Sequence, residues 1–320
     1  MYQYFENGSA IPKQLTTCYD SSPIFKESPQ TIICTGYPFA YSHNASDPEL
    51  DSITYEWGPA YNSLGFNSPW DPANNNPPII PFSNGYTLAS PIPGNPVMDN
   101  NTGVISYDAD TAGTFATSVI VKAFKCGQLV AEIARDIPVV LIDCDTMYGG
   151  VYNDPPVVSV PLNSSHTFTP SGNRTFVANV PAGELVEFDI QGFDTNMYAG
   201  QIGQDLTMTV SGGQMALNYL SDSLCDNPPC ATFKNINNMA PPLTGLSVVN
   251  GKFRWQTSCE QVMSDAGCGK TSNIFTFLIK VSDDFCPAPA ITIANLKIVV
   301  EPATTQPAPD FRCVTKNPAG

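Results

Sequence analysis

Between residues 115 and 123 the side chains sort onto two faces with a period of two. Phe115, Thr117, Val119, Val121 and Ala123 share one face, and Ala116, Ser118, Ile120 and Lys122 share the other. That period marks a strand with one face turned to a core, and a chain that repeats it is committed to sheets. The alternation resumes at Ile137, Val139 and Leu141 after Gly127-Gln128, predicting a strand pair over 114–142. Phe275, Phe277, Ile279 and Val281 repeat it, and Ile293 to Val300 supplies a return strand after the turn residues Cys286-Pro287-Ala288-Pro289. No long stretch carries the 3.6-residue apolar spacing of a helix. Thirty prolines and twenty-three glycines supply the punctuation that many short strands need.

The two halves read as diverged copies of one unit. Phe39 to Asp47 matches Val186 to Asp194 in pattern, Ile53 to Trp57 matches Leu206 to Val210, and Gly103 to Tyr107 matches Gly251 to Trp255. The strand pairs near Phe115 and Phe275 follow in the same order, at offsets of roughly 147 to 160 residues. Several short strands per copy, separated by turns, predict an all-β chain of tandem immunoglobulin-like β-sandwich domains. Each copy exceeds the ~100 residues of such a sandwich, so long loops are expected at 58–98 and 211–245. The expected division is a lead-in at 1–35, sandwiches at 36–145 and 146–302, and a Pro-rich linker at 303–320 leading toward a possible next module.

Charge narrows the partners. Fourteen Lys+Arg against twenty-nine Asp+Glu give a net charge of −15 with no basic cluster, which excludes a phosphate-binding footprint and hence nucleic acid. No run of ~18 apolar residues is present, so no helix of this segment is expected to enter a membrane. The ten cysteines, Cys18, Cys34, Cys126, Cys144, Cys225, Cys230, Cys259, Cys268, Cys286 and Cys313, are even in number and contain no C-x-x-C pair. They are disulfide candidates and point to an oxidising, extracellular compartment. The residues from Met1 to Gly8 lack the charged start and apolar stretch of a signal peptide, so an exported protein is expected to extend beyond this chain.

Residues Asp20 to Phe25, Ile33 to Phe39, Ser42 to Tyr55, Asn101 to Ser106, Ala112 to Phe115, and Arg135-Asp136 through Ile142 to Cys144 resemble a recurrent surface-repeat sequence. It is similar to repeats of large Bacteroidota surface proteins, including SprB-like gliding-motility adhesins. The resemblance is good over 20–144; over 150–300 it is carried by Trp255, Cys259 and Val281 to Cys286. It implies Ig-like, PKD-like or cadherin-like modules, export by type IX secretion, and a place at the cell surface among other repeats of the same long chain or filament. Where such repeats commonly carry a D-P-D-G-D turn, this chain has Asp47-Pro48-Glu49-Leu50-Asp51. The resemblance also implies O-glycosylation at Asp-Ser/Thr followed by an aliphatic residue or methionine, for which Ser52, Thr111, Thr146 and Ser223 are the candidates.

No hydrolase, zinc, Walker or dinucleotide fingerprint appears, so no catalytic residues are assigned. His43 and His166, one per half, are expected to make turn or surface hydrogen bonds. No cofactor is required, and calcium is the cation that oxygen-only clusters would take. Asp47, Glu49 and Asp51 form the first candidate set, with Asp143 and Asp145 at the domain junction next. Trp57 and Trp255 lie in expected strands and belong in the cores. Trp70, in a polar loop, and Tyr86 are the candidates for ligand or partner contact with surface glycans or proteins. These features predict a non-catalytic structural or adhesive segment of a secreted bacterial surface protein. The alternative is a carbohydrate-binding, accessory region of a secreted glycan-degrading enzyme.

Overall fold

The structure is a computed structural model that describes residues 3–6, 9–10, 20–61, 79–144, 153–172, 174–196, 203–262 and 271–303. Its described regular structure is almost all strand, as the alternation predicts. In the first half, β1 (Gln3–Glu6), β2 (Ser9–Ala10), β4 (Ile32–Cys34), β7 (Ser52–Gly58), β10 (Gly113–Lys125) and β11 (Gln128–Ile142) form one sheet. A facing sheet holds β5 (Phe39–Ser42), β8 (Val97–Met98) and β9 (Val104–Tyr107), and β3 (Ile24–Phe25) pairs with β6 (Ala45–Ser46). The expected hairpin over 114–142 is the β10–β11 ladder. Its turn places Cys126 and Gly127 at φ 50° and 76°, the left-handed geometry that glycine accepts freely. The segment read as a lead-in contributes β3 and β4, and β4 runs parallel to the end of β11 in the first sandwich.

The second half repeats the plan. One sheet is β12 (Val157–Leu162), β15 (Leu185–Phe193), β19 (Val248–Gln256) and β17 (Thr232–Lys234). The other is ordered β13 (Thr169–Pro170), β14 (Thr175–Pro181), β21 (Ile291–Glu301), β20 (Asn273–Ser282), β16 (Asp205–Ser211) and β18 (Leu243–Leu246). Early strands divide between the two sheets, and β14 runs parallel to the last strand β21. That is immunoglobulin-like sandwich topology. Phe188, Phe253, Phe277 and Trp255 fill its core, and the Trp255 indole N–H donates to Pro229 O at 2.9 Å, so a buried polar atom is satisfied.

The sandwiches pack side by side. Phe275, Phe277, Ile279 and Val281 of β20 face their own core, but Leu278, on the opposite face, is fully buried. Leu278, Ile291 and Ile293 join the same apolar cluster as Phe39, Ala40, Tyr41, Val104 and Ile105 of the first half. All four residues of β5 are buried, so this strand is covered on both faces. Polar contacts continue the interface. Glu27 is ion-paired with Lys280 and accepts from Ser211 Oγ at 2.8 Å, while Asn44 Nδ2 donates to Ser211 Oγ at 3.0 Å. At the other end, the Cys34–Cys144 disulfide packs with Phe285, Ala288 and Ala290 of the β20–β21 connection.

Cys225–Cys230 is a second bridge, and Cys126 and Cys259 are disulfide-bonded as well. Cys286 is exposed in the β20–β21 connection. Cys18, Cys268 and Cys313 lie outside the described residues.

Candidate functional site at the cleft between the sandwiches

The interface opens at one end into a cleft of about 470 Å³ lined by both halves. Register explains where it opens. Thr276 pairs with Lys297 and Leu278 with Asn295, so Ile274, Thr276 and Lys297 continue the β20–β21 face that Leu278 and Ile293 press onto the first half. The opposite wall is the turn from Ala45 to Tyr55, and the rim is the 211–245 loop, which contributes Gln214, Asp226 and Asn227. That loop is pinned to the first half. Asp226 pairs with Lys26 at 3.0 Å and accepts from Ser46 Oγ at 3.0 Å, and Asn227 Nδ2 donates to Pro48 O at 3.1 Å. A surface loop in the sequence reading is thus an interdomain clamp.

Two of the expected metal-binding residues, Asp47 and Asp51, line this cleft. Asp47 Oδ1 accepts from the backbone N–H groups of Glu49 and Asp51 at 3.0 and 3.1 Å, fixing the turn. Glu49 turns away and accepts from Ser21 Oγ at 2.7 Å and from Ser21 N at 3.2 Å. Two residues that sequence reasoning missed complete the group. Lys125 Nζ lies 3.0 Å from Asp20 Oδ1 and 3.6 Å from Asp51 Oδ2. The arrangement is therefore a mixed cluster with an ammonium inside it, rather than the oxygen-only set expected. Pairing of Phe124 with Ser52 carries Lys125 to Asp51, a neighbourhood visible only once the strands are in register.

Burial raises the Asp47 carboxyl to about 6, with the charges of Glu49 and Asp20 adding to the effect. Burial and the neighbouring Asp20 charge also raise Asp51. The Asp20 and Asp51 charges hold Lys125 above its ordinary range against the cost of desolvation. Across the cleft, Lys297 is lowered by burial. The remaining lining mixes hydroxyls and amides, Ser46, Thr54, Asn101, Gln214, Asn227 and Thr276, with the apolar Leu50, Ile53, Ile274 and Phe275. Such a surface can offer many neutral hydrogen bonds around one basic and a few acidic groups. Among the described residues no three Asp, Glu, His or Cys side chains stand together at metal-binding spacing.

The other candidates are dispersed. Asp143 is exposed at the end of the first half, and Asp145 lies outside the described residues. Trp70 also lies outside them, and the Tyr86 ring meets Phe115 edge-on at 5.5 Å. Ser52, Thr111 and Ser223 are exposed, Thr111 Oγ1 donating to Asp110 at 2.9 Å; Thr146 falls outside the described residues. His166 has the expected surface contacts, to Ser165 and Glu184 at 3.0 Å each. His43 corrects the expectation: it is buried between Phe25 and Tyr41, and its pKa is lowered to about 3 by burial, with the Arg135 charge adding. A polar-looking Ser-His-Asn stretch gave no signal of that, because its burial comes from β3 folding over it.

No protein-family model and no curated protein matches the chain. Solved structures with similar arrangements include Drosophila N-cadherin EC1-3, at 12% identity and TM-score 0.24 over 89% of this chain and 69% of that one. A titin Ig tandem aligns at 11% identity and TM-score 0.20, over 89% of this chain and 100% of its own. An endo-fucoidan hydrolase from glycoside hydrolase family 107 aligns at 16% identity and TM-score 0.22 over 91% of this chain. This chain spans 30% of that hydrolase's length. At such scores the fold assignment rests on the strand pairing itself.

Proposed function

We propose that this chain is a non-catalytic, load-bearing and adhesive segment of a secreted bacterial cell-surface protein, within a filament or stalk of immunoglobulin-like repeats. On this reading the parent protein is a type IX-secreted surface adhesin of the gliding-motility kind, and its neighbours are further repeats of the same chain. The observation that carries the reading is the parallel pairing of early and last strands. Thr175 to Pro181 of β14 pairs with Asn295 to Glu301 of β21, and β4 pairs in the same sense with the end of β11. Tension applied through the two ends of the second half loads the β14–β21 hydrogen bonds together in shear, rather than opening them one at a time, and in the first half the Cys34–Cys144 bridge takes the load directly. The disulfides support the extracellular setting. Single-molecule pulling is expected to show the second half rupturing abruptly, at forces well above those of a hairpin peeled from one end, while the Cys34–Cys144 bridge keeps residues 35–143 from extending until it is reduced. Gradual opening at low force would remove the mechanical role. Beads coated with the chain should attach to glycan- or protein-coated surfaces; beads that attach to none remove the adhesive one.

The hydroxyls and amides that stand beside apolar side chains in the cleft favour a second reading, a carbohydrate-binding accessory region. That reading expects soluble glycan binding that is weakened by Asn101→Ala and Asn227→Ala. Glycan binding unaffected by both substitutions would place the contact elsewhere.

A further inference from the structure

A second carboxylate group lies at the end of the second sandwich, away from the cleft. Asp194 follows β15, Gln204 precedes β16, Asp283 follows β20, and Asn153 precedes β12; each is more than nine-tenths buried. Asn153 organises them. Its Nδ2 donates to Asp283 Oδ2 at 2.7 Å, and its Oδ1 accepts from Gln204 Nε2 at 2.6 Å and from Asn196 Nδ2 at 3.2 Å. Asp283 Oδ1 accepts from the N–H groups of Phe285 and Ala290 at 3.1 and 2.8 Å, and Asp194 Oδ1 accepts from Asn196 N at 2.7 Å. Two oxygens are left over. Asp194 Oδ2 and Gln204 Oε1 are buried without a hydrogen-bond partner.

Buried acceptors in a native fold are nearly always satisfied, and buried carboxylates are normally paired. In the cleft cluster Asp20, Asp47 and Asp51 each also keep one oxygen without a hydrogen bond, but there the Lys125 ammonium supplies a counter-charge. Here, among the described residues, no Lys, Arg or His makes an ion pair with Asp194 or Asp283. Burial raises Asp283 to about 6, with the Asp194 charge adding, and Asp194 is raised by burial and by the nearby Asp154 charge. Two mutually repelling carboxylates with two unpartnered oxygens between them would be stabilised by a cation.

We infer that Asp194, Gln204 and Asp283, with Asn153 as the positioning residue, bind a calcium ion. All the donors are oxygens, which suits a hard cation. Their mixture of carboxylate and amide groups on three separate connections suits the irregular six- to eight-oxygen shell of Ca²⁺ better than the strict octahedron of Mg²⁺. With two carboxylates the affinity should fall near the ~10⁻⁴–10⁻³ M of extracellular modules. The inference does not depend on an adhesive role.

The test is thermal unfolding of the full chain in EDTA and in rising Ca²⁺, with Mg²⁺ in parallel. At ten times Kd the folding constant should rise about elevenfold, a gain of about 3 °C for a unit of this size. The gain should persist in Asp51→Asn, which alters the cleft cluster, and vanish in Asp194→Asn. Gln204→Met, which removes one ligand oxygen and keeps every protein charge, should weaken binding several-fold and decides the matter if Asp194→Asn does not fold. An unchanged melting temperature in the wild type would overturn the inference, meaning that a proton or water satisfies the cage. So would a gain that survives Gln204→Met undiminished, or one lost only in Asp51→Asn.

Discussion

Leu50 occupies the glycine position of the D-P-D-G-D pattern, yet it keeps the glycine's backbone, at φ 62°. For a residue with a Cβ that conformation costs about 1–2 kcal/mol. Its side chain packs against the core of the second sandwich, which offsets a similar amount. Leu50→Ala should therefore lose about 1 kcal/mol of stability, since it keeps the strain and drops the contact. Leu50→Gly should lie closer to wild type. Urea denaturation of both would expose an error if Gly proved the worse of the two. The buried titrating residues make a second prediction. Asp47 and Asp283, raised to about 6, and Asp51, also raised, hold protons in the fold that the unfolded chain has released. Their contribution is fully present below about pH 4 and is lost as pH rises through 6. His43, lowered to about 3, acts the other way, with stability lost as pH falls below about 6.5. Three carboxylates oppose one imidazole, so the chain in EDTA should be more stable at pH 5 than at pH 7.5. His43→Phe should steepen that difference; a flatter profile would contradict the assignment.

The strands themselves were legible wherever one face was apolar and the other was not. The pairs at 114–142 and 275–300 stand where the alternation put them, with Val119, Val121 and Ala123 and then Phe277, Ile279 and Val281 fully buried. Legibility failed where a strand is buried on both faces, because alternation then carries no information about a second partner. The alternation that puts Phe277 and Ile279 on a core face says nothing of Leu278, which with Ile291 and Ile293 forms the contact between sandwiches. Loops were less legible still, since nothing local in Asp226-Asn227 announces Lys26, Ser46 and Pro48 as partners 179 to 200 residues away. The polar part of that interface should matter energetically. Glu27 is buried and holds Lys280 and Ser211 of the second half. Glu27→Ala leaves the Lys280 ammonium without its counter-charge and should cost about 3 kcal/mol. A change within experimental error would mean that apolar packing alone sets the interface.

At the scale of the whole molecule, the two sandwiches share a buried sheet-to-sheet contact and should unfold together. Residues 153–303 produced alone would bare Leu278, Ile291 and Ile293 to water and should melt below the full chain or self-associate. Two well-separated transitions in the full chain, the later one matching the isolated half, would show that the halves are independent. Composition and periodicity determined by themselves that this chain is acidic, all-β, built twice on one plan and expected to be cross-linked by cysteines, because each of those properties is local or additive along the sequence. Tertiary structure alone decided that the copies lie side by side, that a long loop clamps them, and that Lys125 enters the acidic turn. It alone gathered Asp194, Gln204 and Asp283 into one cage. Those outcomes depend on which faces meet, and a period of two states only that a face exists.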